Sequence, residues 1–325
     1  MKYTFKSQLS RYIEGLINQK HSVGYPYLKS EGILKNFDHF CLMNFPDEKS
    51  LTTEIGQNWA IVRPQESAVT FQNRMAPVRE LARYIKRLGI EAYVIPIEVG
   101  PKCTRGQNKS PHICTDRELE LFFAAVDSLE INKRCTLRHL VLPVIFRMLY
   151  CCGLRPPEAR LLETADVDLN KSKIQIRESK GHKDRLVIMP PDLLEICRNY
   201  ARLLQKMCPG SKYFFPSQLE HLNPYTGIGL AKLFRTCWNS AGIGTYGGNS
   251  PRPYSLRHTF ATRRLYKWMK EGKDIEAMLP YLSAYMGHER FSDTAYYIHL
   301  VPEIYPHMSQ MDFALYEKLL PEVGV

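Results

Sequence analysis

Three short segments gather residue types that can bind a phosphate and move protons around it. The first is Gly153-Leu154-Arg155-Pro156-Pro157-Glu158-Ala159-Arg160. The second is Tyr254-Ser255-Leu256-Arg257-His258-Thr259. The third is Met286-Gly287-His288, followed nine residues later by Tyr297, with Tyr296 before it and His299 beyond it. Between the first two lies Lys180-Gly181-His182-Lys183-Asp184, a turn composition. Arginine's planar fork grips phosphate oxygens bidentately and stays charged, so Arg155 and Arg257 suit a phosphate clamp. The whole chain leans the same way, with 44 Lys and Arg against 33 Asp and Glu for a formal net charge of +11. Such an excess favours a polyanionic partner, because each neutralised phosphate releases a counterion. Charge alone fits a basic soluble protein equally well. The nine cysteines include no CxxC, which argues against both a disulfide framework and a zinc knuckle and fits a reducing cytoplasm.

Taken in order with the Lys180 turn, these segments resemble the signature of the tyrosine recombinase (phage integrase) family. The resemblance covers residues 115 to 305 in order and spacing, and residues 1–94 resemble the family's helical core-binding domain more loosely. Its specificity lies in four segments in the right sequence, since any one alone is a weak signal. The resemblance implies phosphoryl transfer on a phosphodiester, with no metal and no cofactor. Negative charge builds on the non-bridging oxygens of such a transition state, so preorganised cations do most of the catalysis. By resemblance, Arg155 and Arg257 form the clamp. Tyr297 attacks the phosphorus, makes a 3′-phosphotyrosyl link and releases a 5′-hydroxyl. The covalent intermediate keeps the bond energy, so strands rejoin without ATP. Lys180 is expected to protonate the leaving 5′-oxygen. His288 is expected to bond a non-bridging oxygen or the nucleophile.

Two of these positions have neighbouring rivals. The family's spacing from Gly-His to Tyr, and the x-His that follows, favour Tyr297 over Tyr296. The family's Ser-Lys-Gly-x-Lys pattern favours Lys180 over Lys183. One position departs from the family. Three residues before the second arginine most members carry a histidine, usually assigned to the tyrosine's proton, and Tyr254 stands there. A phenol of pKa near ~10 is a poor base at neutral pH but can donate a hydrogen bond to phosphate. Tyr254 is therefore expected to orient the phosphate, which leaves the general base open. His258 reads as structural, because adjacent helical residues point about 100° apart and it should face away from the target of Arg257. Glu158 is expected to orient Arg155, with His182 and His299 as further supporting candidates.

The elements that must position these residues read as mainly α, with a small antiparallel β-hairpin or sheet. Residues 1–94 form the expected helical core-binding domain, with helices at 5–16, 27–43, 52–62 and 70–88. On the last, Arg79, Arg83 and Arg87 lie four apart with Lys86 beside them, which predicts one face aimed at DNA phosphates. Residues 95–113 carry Pro96, Gly100, Pro101, Gly106 and Pro111 and read as an exposed basic linker. Thr115 and Glu118 predict a capping box that opens a catalytic domain over 114–325. Leu140 to Leu154 is too short to span a membrane and reads as a buried helix. Ile174–Arg177 and Leu186–Met189 predict the hairpin, with Lys180 near its tip. Helices are predicted at 191–207, 226–241, 256–270 and 274–285, and an amphipathic tail helix at 311–320. The resemblance implies that this tail docks in trans on a neighbouring protomer.

The expected function is a site-specific DNA recombinase or integrase of a mobile element, in a two-domain form without an arm-binding domain. The expected partners are double-stranded DNA and further copies of the chain, a tetramer on synapsed DNA. Other recombinases as partners stay open. No signal peptide and no membrane contact are expected, so the location is cytoplasmic and nucleoid-associated. Two rivals remain: a type IB topoisomerase-like enzyme with similar chemistry, and a catalytically impaired DNA-binding member, for which Tyr254 is the argument.

Overall fold

The computed structural model describes residues 4–102, 111–131, 136–177, 184–218, 222–244 and 251–300. Its contacts divide the chain into two compact units, Met1–Asn108 and Lys109–Val325.

The first unit is built on four helices, α1 (Ser10–Ser22), α2 (Leu28–Asn44), α3 (Thr53–Trp59) and α4 (Ala68–Arg87). The Thr52 and Ser67 side chains cap α3 and α4 by accepting backbone N–H bonds. Ile13 and Leu16 of α1, Leu34 and Phe37 of α2, Ile55 and Trp59 of α3, and Phe71, Val78 and Ile85 of α4 share one core. α1 starts later than its apolar spacing predicts. The backbone before it is diverted to the buried Asp38 carboxylate, which accepts from Lys6 N at 2.9 Å and from Ser7 N at 3.0 Å.

The predicted basic face of α4 is split. Arg83, Lys86 and Arg87 are exposed, but Arg79 is buried. Its guanidinium donates to Ile95 O at 2.8 Å, Pro96 O at 2.9 Å and Gln72 Oε1 at 2.9 Å. Arg79 thus holds the chain that follows α4 and is not presented to DNA. Four-residue spacing reports a shared face, not whether another segment covers it. The same packing buries the first residue of the expected linker, Ile95, while Pro96, Ile97, Glu98, Gly100 and Lys102 stay exposed. Ala92 and Ile95 are buried in this core and Val99 packs against it. Gly100 takes a φ of +93°, and a Cβ there would lie 2.1 Å from the Phe71 ring. Removing the Arg79 donors should cost about 1–3 kcal/mol for each buried acceptor left unpaired. Arg79→Ala is therefore expected to lower the urea midpoint while Arg83→Ala leaves it in place. Equal midpoints for the two variants would refute this role.

The predicted capping box forms in the second unit. Thr115 Oγ1 accepts from Glu118 N at 3.2 Å and Thr115 N donates to Glu118 Oε2 at 2.8 Å, capping α5 (Asp116–Asp127). Just before it, Cys114 N donates to Thr259 Oγ1 at 2.9 Å. The buried α6 (Arg138–Cys152) and short α7 (Pro156–Arg160) lead to strands β1 (Val167–Asp168), β2 (Lys173–Ile176) and β3 (Arg185–Ile188). They pair antiparallel in the order β1-β2-β3, with Ile174 opposite Val187. The sheet therefore adds a short strand to the predicted hairpin. Lys180, His182 and Lys183 lie outside the described residues, as does the predicted tail helix. Next come α8 (Pro191–Met207), α9 (Gly227–Ser240), α10 (Pro253–Lys270), α11 (Ile275–Met286) and α12 (Ser292–Ala295), then a 3-10 turn over Tyr296–Leu300.

Phe122, Phe146, Phe234 and Trp238 anchor the larger core of this unit, with ring centroids 4.8 Å apart at the closest pair. A smaller core joins α10, α11 and the last turns through Phe260, Leu265, Leu282, Met286, Phe291 and Ile298. α10 begins at Pro253 rather than near residue 256, since proline suits the first helical position. That earlier start puts Tyr254 on the same helix as Arg257 and His258. Among the described residues, no helix is long and apolar enough to cross a membrane.

Candidate active site

Two helix ends create the site. α6 stops at Gly153, whose φ is +61° and whose Cβ, if present, would lie 2.4 Å from the Phe260 ring. α11 stops at Gly287 with a φ of +64°. Helix C-termini leave carbonyls without intrahelical partners, and the two arginines take them. Arg257 Nη1 donates to Gly153 O at 2.5 Å and Nη2 to Met286 O at 2.8 Å. Arg155, at the N-terminal boundary of α7, donates through Nη2 to Gly287 O. Backbone carbonyls thereby fix both guanidiniums in place. Arg257 is 2% exposed. Burial first, and then the Arg155 cation, lower its pKa to about 10, so it stays charged at neutral pH. A guanidinium has five N–H groups. Among the described residues these contacts leave some unused, which suits an anion placed against the pair.

Glu158 ties the arginines to the sheet. Its carboxylate accepts from Arg155 N at 2.7 Å and Arg155 Nη1 at 2.7 Å. It also accepts from Arg185 Nη1 at 2.8 Å and Nη2 at 2.7 Å. Arg185 in turn donates through Nε to Tyr285 O at 2.9 Å. Burial acts to raise the Glu158 pKa, but the bonds from Arg185 and Arg155 outweigh it and hold the carboxyl below its ordinary value.

His288 is locked as one tautomer by its neighbours. Its Nε2 lies 3.1 Å from Arg257 Nη2, which can only donate, so Nε2 accepts. The proton then sits on Nδ1 and is donated to Thr294 Oγ1 at 2.7 Å. Burial, and then the cations of Arg257 and Arg155, push the His288 pKa down to about 3, so the ring is neutral. Tyr297 is 3% exposed and its ring stacks on His288 at 6.0 Å. Burial raises the Tyr297 pKa, and Arg257 opposes that rise. Tyr296 is 39% exposed, with its ring at the edge of Tyr297. Tyr254, 42% exposed, stands at the rim of a cleft of about 720 Å³ lined also by Arg155, Glu158, Gln175 and Arg177.

His258 does not face away from the site, as its position next to Arg257 suggests. Its Nδ1 lies 3.0 Å from Tyr297 Oη. The site wraps around α10, so two residues that point in different directions both reach it. Arg257 points to the ends of α6 and α11, and His258 to the turn after α12. The available signal was the four-residue step from Tyr254 to His258, which puts both on one helix face; their rings lie 6.3 Å apart. Arg185 and Thr294 also escaped the sequence reading. Neither sits in a recognisable motif, and each is found only by its partner in space. The His299 side chain lies outside the description.

A buried arginine and a partly exposed one beside a tyrosine hydroxyl and two histidines form a site for an anion flanked by a nucleophile-capable residue. Comparison with known proteins gives the class. Residues 114–303 match the phage integrase family, and the chain belongs to it. The Sinorhizobium fredii protein y4rB, named for an integrase/recombinase, is 30% identical over 309 residues, covering 93% of this chain and 94% of that one. The tyrosine recombinase XerA of Thermococcus onnurineus is 33% identical over 164 residues, covering 49% of this chain and 51% of that one. Among solved structures, the Tn1549 transposon integrase in complex with transposon right end DNA matches with a TM-score of 0.64 at 14% identity, covering 92% of this chain and 99% of that one. XerH recombinase bound to its difH substrate matches with a TM-score of 0.62 at 19% identity, covering 87% of this chain and 78% of that one.

Proposed function

We propose that the chain is a mobile-element recombinase that cuts and rejoins double-stranded DNA at specific sites through a 3′-phosphotyrosyl intermediate. Tyr297 is the nucleophile. Arg155 and Arg257 hold the scissile phosphate, with His288 beside them and Tyr254 orienting the phosphate from the cleft. Lys180 donates the proton to the leaving 5′-oxygen, and Arg83, Lys86 and Arg87 contact the DNA backbone. The observation that carries this reading is the placement of Tyr297, buried between His258 and His288 next to Arg257. DNA-bound recombinases among the structural matches support DNA as the partner. By the same reading the protein acts as a tetramer on synapsed DNA, in the cytoplasm and with the nucleoid.

The test uses a pool of nicked duplexes of random sequence, from which covalent protein–DNA adducts are captured in detergent. The chain and its Tyr296→Phe variant are expected to yield adducts on a shared sequence, and Tyr297→Phe none. Adducts that persist in Tyr297→Phe would overturn the nucleophile. Relaxation of any supercoiled plasmid without site preference would replace the recombinase by a topoisomerase. No adduct from any form would leave a DNA-binding member without catalysis.

A further inference from the structure

We propose that His258 is the catalytic base that takes the proton from Tyr297 Oη, in the role left open by the tyrosine at position 254. This rests on Tyr297 being the nucleophile. The geometry narrows the choice. Three residues of suitable type stand at the site: His288 and His258 beside Tyr297, and Tyr254 beside His258. His288 has both ring nitrogens engaged, Nε2 by Arg257 and Nδ1 by Thr294. It stacks on the Tyr297 ring and does not bond its hydroxyl. Tyr254 is half-exposed and is itself a phenol, no more basic than the group it would deprotonate. His258 alone among them places a nitrogen within hydrogen-bond distance, Nδ1 at 3.0 Å from Oη.

The charged and titratable groups facing this pair are Arg257 and Tyr254 from α10, His288 after α11, Asp293 on α12, Tyr296 in the turn after it, and Arg155 at the start of α7. Burial, and then Arg257, lower the His258 pKa to about 4, so the free ring is neutral and can carry a lone pair on Nδ1. A base this weak does not ionise the phenol in advance. It acts as the bond forms, when the attacking oxygen becomes strongly acidic. A bound phosphate diester also brings an anion beside Arg155 and Arg257, which offsets the cation that depresses His258.

The step balances. The Tyr297 Oη–phosphorus bond forms as the phosphorus–O5′ bond breaks. The phenol proton passes to His258 Nδ1, and the leaving oxygen takes its proton from Lys180. On rejoining, the attacking 5′-hydroxyl gives its proton back to Lys180 as the O5′–phosphorus bond forms, and the His258 imidazolium returns its proton to the departing tyrosine oxygen. The sequence thus keeps a histidine on the required face of α10, one helical turn further along.

The experiment measures adduct formation on the captured nicked duplex for the full chain, His258→Gln and His258→Ala, with DNA binding followed by gel shift. Glutamine can hold a hydrogen bond but cannot accept the proton. Both variants are expected to bind DNA and to react about 10²–10⁴-fold more slowly. Their rate should climb about tenfold per pH unit below the phenol's pKa, where the parent is flat. Difluorotyrosine at position 297, a more acidic phenol, should recover much of the loss. A parental rate, or a slower rate with the parent's pH profile, overturns the proposal. Loss of DNA binding in both variants overturns it as well, since His258 would then be a packing residue. A parental rate in His258→Gln alongside inactive Tyr297→Phe sinks only this proposal. Adducts from Tyr297→Phe sink the nucleophile with it.

Discussion

Arg257→Lys is expected to slow adduct formation on the order of 10³-fold while low-salt DNA binding persists. The arginine has donors to offer in two directions. Toward the protein, Arg257 holds Gly153 O, Met286 O and His288 Nε2. Toward the cleft, its remaining N–H groups can face a phosphate oxygen. A lysine keeps the charge but is a single ammonium with three donors and no planar fork. It cannot hold the ends of α6 and α11 together and also point at a phosphate. The change therefore acts twice. Unpaired carbonyls at the two helix ends cost about 1–3 kcal/mol each, lowering the unfolding midpoint. Loss of an oriented donor raises the barrier for a transition state whose charge sits on the phosphate oxygens. On the proposed function, Arg83, Lys86 and Arg87 are unchanged and keep their attraction to the DNA backbone, so affinity should fall far less than rate. Adduct formation within tenfold of the parent would show that Arg257 only braces helix ends.

The contrast between Arg257 and Arg79 shows what the sequence makes legible. Arg257 was read from its motif and Arg79 from helical spacing, yet both are buried and bound to backbone carbonyls. Short-range regularities carried the helices, the Thr115 capping box and the β2–β3 pairing, because each depends on residues near in the chain. Segment order carried the family. What escaped depends on contacts distant in sequence. Residues 95 and 96 cover Arg79, and β3 supplies Arg185 to a carboxylate 27 positions earlier. His258 was misread for a related reason. A helical projection around one axis gives directions, but the site approaches α10 from two sides. Composition could not show that the turn after α12 lies against it.

Glu158→Gln should have the largest effect on stability, through the network that Arg185 completes. The carboxylate is buried, with its side chain 7% exposed, and binds two guanidiniums. An amide of the same shape offers one acceptor oxygen and points an NH₂ donor at another donor. Removing one partner of a buried ion pair costs about 3–5 kcal/mol, because the cations stay buried without their anion. Chemical denaturation should show that loss at neutral pH, and adduct formation should fall as Arg155 loses its anchor. Removing the second cation as well should help. Glu158→Gln with Arg185→Met is expected to be less destabilised than the sum of the single changes, since the pair is then deleted rather than broken. The pH dependence separates charge from packing. Glu158 has a folded pKa below its ordinary 4.5, so its contribution is complete above that value and is lost as pH falls through the folded pKa. The gap between parent and variant should therefore be widest near neutrality and close in acid. The depressed histidines, His258 and His288, weaken both proteins below about pH 6.5, so they cancel in the difference. A gap that stays constant into acid, or a double variant as unstable as the sum, would show that the shape of Glu158 matters and its charge does not.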